Sequence, residues 1–162
     1  MIRKGTLDDA ADMAAIYNHY VATSTVIFSN KQLTSGEMRT KLEPLVADGY
    51  PFWVWEVDGV VRGYIYAHPW QPDEVYCHTW EIAVYVDKDC RGMRVGHQLL
   101  DALVKSCREE ERVRVLISCI TEGNVASERL HEGFGFKRVS RFEGVGYKFG
   151  EWLNDVHYQL TL

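Results

Sequence analysis

DKDCRGMRVGHQLL, residues 87–100, runs from a polar, turn-prone stretch through Arg91-Gly92-Met93-Arg94-Val95-Gly96 into an apolar pattern of helical spacing. Val95, Leu99, Leu100, Leu103, Val104 and Cys107 carry that pattern on as one stripe, so a helix is expected from about residue 94 to 111. Glycines and arginines at a helix start admit two readings. Either Gly92 and Gly96 only make a turn, or the helix start holds an anion. The first N–H groups of a helix have no partner in their own helix and point outward. The helix dipole adds about half a positive charge at the same place. Small residues let the backbone approach a bulky group closely, and Arg91 and Arg94 add side-chain charge. These are the parts of a pyrophosphate cradle. No Gly-Lys-Ser/Thr follows, so the stretch is not a P-loop, and it lacks the three glycines of a dinucleotide fingerprint.

The flanking sequence supplies the context. YCHTWEIAVYV (76–86) reads as a strand entering the turn, and RVLISCI (114–120) as a strand after the helix. Upstream, residues 2–5 form a short strand. Thr6 with Asp9 and Thr34 with Glu37 are capping-box starts for two helices. The first of these helices buries Ala10, Met13, Ala14, Ile16 and Tyr17, and the second ends near Asp48-Gly49. FWVWEV (52–57) and VVRGYIYAH (60–68) flank Asp58-Gly59, a two-residue hairpin signal. Asn124–Gly133 is a short helix, and residues 136–145 and 154–162 are closing strands. The order β-α-α-β-β-β-α-β-α-β-β predicts a mixed sheet with helices on its faces.

Composition removes several function classes. The chain has 162 residues, 46% hydrophobic and 25% charged, with a net charge of −5, which offers no nucleic-acid surface. The N-terminal MIRKGTLDDAADM lacks the apolar stretch of a signal peptide and no run is long enough for a membrane span, so a cytoplasmic protein without membrane contact is expected. Cys77, Cys90, Cys107 and Cys119 are scattered, without metal-ligand spacing, so no metal site is expected.

Further residues make the reading specific. Arg91-Gly-Met-Arg-Val-Gly96, followed by Asn124-x-x-Ser127-x-x-Leu130-His131-x-x-x-Gly135-Phe136, resembles the GNAT N-acetyltransferase superfamily. IYNHYVATSTVIF (16–28), DGVVRGYIYAHPW (58–70), EIAVYV (81–86), RLHEGFGF (129–136) and GYKFGEWLNDV (146–156) narrow the resemblance to its phosphinothricin and methionine sulfoximine acetyltransferase branch. It covers nearly the whole chain in order. In one respect the chain departs from the pattern, carrying Arg94 where the superfamily usually has glycine.

The resemblance implies a GNAT fold, α/β (α+β) in class, with a mostly antiparallel central sheet and helices on both faces. It implies one N-acetyltransferase domain over residues 1–162, acetyl-CoA as cosubstrate, a small amino-acid acceptor and a homodimer. Ala83, Val84, Tyr85 and Val86 would pair through their backbone with the pantetheine arm, as an added strand pairs with an open edge. Arg91, Gly92, Met93, Arg94, Val95 and Gly96 would hold the pyrophosphate, and Asn124 and Ser127 would contact the arm nearer the sulfur. Glu81 is the candidate base that removes a proton from the acceptor ammonium; its alternative is an ordinary strand carboxylate. His131 stands where most of the superfamily has tyrosine. It would protonate the departing thiolate or orient the acceptor, unless it only caps a helix carbonyl.

Phe28, Tyr76 and Tyr147 match acceptor-side segments of the branch, while Trp53, Trp55, Trp80 and Trp152 are assigned to packing. The resemblance would also place the loop PDEVYC (72–77), with Asp73 and Glu74, beside the acceptor, which would favour a neutral sulfone or sulfoximine head over a phosphinate. An α-amine, with a pKa near 8 against about 10.4 for lysine, suits a single modest base. Transfer to a protein N-terminus, a lysine or an amine antibiotic, and acyl-CoA binding without catalysis, are the competing readings.

Overall fold

The computed structural model describes residues 1–162. Seven strands form one sheet in the spatial order β1-β2-β3-β4-β5-β7-β6. They are β1 (Ile2–Lys4), β2 (Phe52–Val57), β3 (Val60–Pro69), β4 (Thr79–Val86), β5 (Val115–Thr121), β6 (Lys137–Lys148) and β7 (Glu151–Thr161). The helices are α1 (Ala10–Thr23), α2 (Ser35–Ala47), α3 (Val95–Arg108) and α4 (Val125–Gly133). All pairings are antiparallel except that of β4 with β5.

The element order is the one the sequence predicts, because its signals are local. Both capping boxes form: Thr6 N donates to Asp9 Oδ2 at 2.8 Å, and Glu37 N donates to Thr34 Oγ1 at 3.1 Å. Asp58 and Gly59 both take positive φ, 50° and 79°, as a tight hairpin requires. The third long strand starts later than its apolar run suggests. Residues 74–76 instead form a 3-10 turn, capped by Asp73 Oδ1 accepting from Val75 N at 3.0 Å. Tyr76 therefore sits in a turn and not in β4.

Two cores lie on opposite faces. On one, Val95, Leu99, Leu100, Leu103, Val104 and Cys107 of α3 pack with Ile65, Trp80, Leu116, Val156 and Tyr158 of the sheet. On the other, Met13, Ala14 and Ile16 of α1 and Met38 and Leu42 of α2 cover Val54, Tyr64 and Tyr66. Tyr17, expected in this core, is only half-buried at its edge. Trp55 and Trp80 are buried, and half-buried Trp53 donates from Nε1 to Ser106 Oγ at 3.1 Å. Trp152 does not pack as expected. It is 73% exposed, at the hairpin end of β7, where its ring meets that of Tyr147 at 4.8 Å.

α3 is seated close to the sheet at Gly63 of β3. A Cβ there would stand 3.0 Å from Val95 Cγ1 and 3.2 Å from Leu99 Cδ1. Gly63→Ala should therefore push the first turns of α3 off the sheet and lower stability by about 1–3 kcal/mol, the usual cost of overpacking. A urea unfolding curve unchanged from the parent would show that this contact is slack.

Candidate active site

β4 pairs with β3 along seven positions, from Gly63–Val86 to Pro69–Trp80. It pairs with β5 at only three, Thr79–Val115, Trp80–Leu116 and Glu81–Ile117. Past Glu81 the two strands part, since β5 stays with β7 through Thr121–Asp155. The gap is a cleft of about 810 Å³ walled by residues 81–86, 90–92, 94–97, 118–127, Leu130 and His131, with Tyr20, Thr25 and Val26 closing one side.

Only part of the β4 edge is open. Asp87 N donates to Arg62 O at 2.7 Å, which sets the alternation of the β3–β4 ladder. Ala83 and Tyr85 therefore turn their backbone groups toward Tyr66 and Tyr64 on β3, while Val84 and Val86 turn theirs into the cleft. The expected run of four pairing residues reduces to these two. One of the open groups, Val86 C=O, already accepts from the Tyr20 hydroxyl.

At the far end of this edge lies the start of α3. Gln98 is the first residue whose N–H bonds back, to Arg94 O at 3.1 Å. The N–H groups of Val95, Gly96 and His97 have no carbonyl in their own helix. Arg94 is left-handed, with φ 58° and ψ 21°, which explains why a glycine serves at this position. Gly92, at φ 79°, borders open space. Gly96 lines the cleft and also meets a packing constraint. A Cβ there would meet Leu130 Cδ2 at 3.3 Å and Val86 Cγ2 at 3.8 Å, so its smallness lets α4 and β4 close over α3. Of the cofactor candidates, Met93 alone is off the cleft wall and 55% exposed.

Asn124 is the N-cap of α4, its Oδ1 accepting from Ser127 N at 3.4 Å. His131, one turn on, is fully buried. Its Nδ1 lies 2.8 Å from Ser127 O, so the proton belongs on Nδ1, and its Nε2 has no partner. Burial lowers its pKa against the smaller raising effect of the Ser127 carbonyl, and the ring is neutral at pH 7.

Two carboxylates line the cleft, and their surroundings differ. Glu122 accepts from Arg138 at 2.6 Å, Arg141 at 2.8 Å and Asn154 at 2.7 Å, and Arg141 first, then Asn154 and Arg138, bring it down to about 2. Glu81 has no arginine. Its neighbours are His68 Nε2 on β3 at 3.9 Å and the Cys119 thiol on β5. Burial, and then the charges of Glu81 and Asp155, push that thiol up.

The three aromatic candidates do not converge. Phe28 lies two residues beyond cleft-lining Val26, its ring where a Cβ on Gly146 would come within 3.1 Å. Lys148 Nζ donates to Ile27 O at 3.0 Å from the same side. Tyr147, between Gly146 and Lys148, must then face the other way, where its ring meets Trp152 at 4.8 Å. Tyr76 packs edge-on against Trp70, 5.4 Å away, and none of residues 72–77 lines the cleft. Asp73 and Glu74, expected beside the acceptor, therefore do not border this cleft. Sequence patterns also missed Tyr20, Ser118 and Cys119 as wall residues, because each reaches the cleft through a strand or helix distant in the chain. No three His, Cys, Asp or Glu side chains are grouped to hold a metal, and no helix is long and apolar enough to cross a membrane.

The family model for the acetyltransferase (GNAT) domain matches residues 2–157. The phosphinothricin N-acetyltransferase of Streptomyces viridochromogenes is 38% identical over 97% of this chain and 84% of its own. The L-methionine sulfoximine/L-methionine sulfone acetyltransferase of Pseudomonas aeruginosa is 35% identical over 99% of this chain and 94% of its own. The structure of yncA from Salmonella typhimurium with its cofactor acetyl-CoA superposes with a TM-score of 0.96. It is 33% identical, covering all of this chain and 93% of that one.

Two outcomes test this geometry. Arg94→Gly suits the left-handed turn and should keep stability within about 1 kcal/mol, whereas Arg94→Val, a β-branched residue forced into that region, should lose about 1–2 kcal/mol or more. Equal denaturation midpoints for the two would contradict the turn. His131 binds its proton more weakly when folded than the ordinary imidazole at 6.5. As pH falls below that value the unfolded chain takes up the proton first, so stability contributed by the neutral ring declines. His131→Met should flatten this part of the stability–pH curve; parallel curves for parent and variant would show that the ring does not titrate with folding.

Proposed function

The chain belongs to the GNAT acetyltransferase family and is an acetyl-CoA-dependent N-acetyltransferase of the phosphinothricin acetyltransferase-like clade, and from that premise we propose that its acceptor is the α-amino group of a small amino acid. The carrying observation is the place of Glu81. It stands where β4 and β5 part, at the inner end of the open edge, and is the cleft carboxylate without an arginine. The relatives named for phosphinothricin and for methionine sulfoximine and sulfone supply the candidate acceptors.

In this reading the backbone groups of Val84 and the N–H of Val86, whose carbonyl already accepts from Tyr20, hold the pantetheine arm, and the start of α3 with Arg91 and Arg94 holds the pyrophosphate. The Asn124 side-chain amide reaches the arm from α4. Glu81 takes one proton from the acceptor ammonium, directly or through water, which frees the lone pair for attack on the thioester carbonyl. The C–N bond forms, the C–S bond breaks, and the second amine proton ends on the departing sulfur. Neutral His131 has no proton to give from Nε2. It offers that lone pair to a donor on the bound arm, so orientation replaces acid catalysis as its role. Phe28 forms an apolar wall beside the acceptor.

The exposed rings of Tyr147 and Trp152, 4.8 Å apart, with exposed Phe149 in the turn between them, give the tip of the β6–β7 hairpin an apolar patch suited to a second copy of the chain. In such a homodimer Tyr147 would reach an acceptor only across the interface.

Glu81→Gln keeps the shape and removes the base. Turnover at pH 7 should fall by about 10- to 1,000-fold, with acetyl-CoA affinity unchanged and part of the rate recovered at higher pH. Full activity at pH 7 would remove Glu81 from the mechanism. A CoA-release assay over the amino acids, with phosphinothricin, methionine sulfoximine and methionine sulfone included, tests the acceptor. Turnover of at least one of these three is expected; silence on all of them, with activity on a lysine side chain or a peptide N-terminus, would overturn the assignment.

A further inference from the structure

Tyr20 occupies the junction between the open β4 edge and the α3 helix start. Its hydroxyl donates to Val86 C=O, the last carbonyl of the edge. The same oxygen accepts from Arg91 Nη2 at 3.3 Å, and the guanidinium lies over the Tyr20 ring with its carbon 5.4 Å from the centroid. A phenol has one proton to donate and lone pairs to accept, so the relay Arg91 → Tyr20 → Val86 has a single consistent direction.

The seat of Tyr20 is rigid. Its side chain is 7% exposed and packs against Tyr85, 6.3 Å between ring centroids. Its carbonyl closes α1 by accepting from Ser24 N at 3.0 Å and Ser24 Oγ at 3.0 Å. Arg91, by contrast, projects from a turn with open space at Gly92. A long side chain on such a turn samples many rotamers unless something holds it. Only one of its five N–H donors is engaged by Tyr20, and the others remain for an anion.

We propose that Tyr20 is a positioning residue that acts through Arg91, holding the guanidinium toward the pyrophosphate of acetyl-CoA while it closes the strand edge at Val86. The proposal rests on the acetyl-CoA reading of the cleft. Tyr20→Phe keeps the ring, its packing and its face toward Arg91, and removes only the hydroxyl.

The test compares two acyl donors, acetyl-CoA and S-acetylpantetheine, which ends before the pyrophosphate. The expected result for Tyr20→Phe is a KM for acetyl-CoA raised about 5- to 10-fold, with kcat within about twofold, the scale of one lost hydrogen bond. S-acetylpantetheine kinetics should not change, nor should the thermal midpoint by more than a few degrees. In an Arg91→Ala background, itself weakened toward acetyl-CoA, Tyr20→Phe should add no further loss. An equal loss with both donors would place the hydroxyl's effect at the strand edge and overturn the proposal. So would an unchanged KM, or fully additive losses in the double variant. Failure of the parent protein to bind acetyl-CoA by calorimetry would instead overturn the reading of the cleft, and the role of Tyr20 with it.

Discussion

The parallel contact between β4 and β5 is three residues long, and the rest of the molecule is arranged around its brevity. Each strand is held on its other side by a full antiparallel ladder, β4 by β3 and β5 by β7. Neither can bend to follow the other past Glu81 and Ile117 without breaking those bonds. The sheet opens, and backbone groups that would pair in a continuous sheet face a cavity. Unpaired backbone is costly when buried, and here those groups border an open cavity and not a dry interior.

Other features of the site follow from that opening. α3 enters the sheet's open end directly from β4, so its unpaired N–H groups lie in line with the open edge. The close approach of α3 at Gly63, and of α4 to α3 at Gly96, sets that alignment. Glu81 sits at the vertex, the last β4 residue paired with β5 and the first on the cleft wall. Thr121 Oγ1 donates to Thr25 O at 2.7 Å and Lys148 Nζ to Ile27 O, tying the segment after α1 across the mouth.

The electrostatics discriminate between residues of like type. Glu81 and Glu122 both line the cleft, yet Arg138 and Arg141 pair with Glu122 and no arginine pairs with Glu81. His131 and His68 are both imidazoles near the site. One is buried with its Nδ1 proton on a carbonyl, and the other stands beside a carboxylate. Position in the fold, and not residue type, separates the two carboxylates and the two imidazoles.

The amino-acid sequence by itself determined the elements and their order. The α3 stripe, the capping boxes at Thr6 and Thr34 and the Asp58-Gly59 hairpin are carried by residues within a few positions of one another, and local backbone physics is enough to express them. Arg91, Asn124 and Glu81 could be singled out because they belong to contiguous patterns. Tertiary structure alone decided which of residues 83–86 open to the cleft, since that depends on ladder parity with β3. It alone turned Tyr147 away from Phe28, withdrew Tyr76 and the 72–77 loop from the cleft, exposed Trp152 and brought Tyr20 to Val86 and Arg91. Each of these depends on contacts between segments far apart in the chain, and a side chain's periodicity does not record which distant strand it will meet.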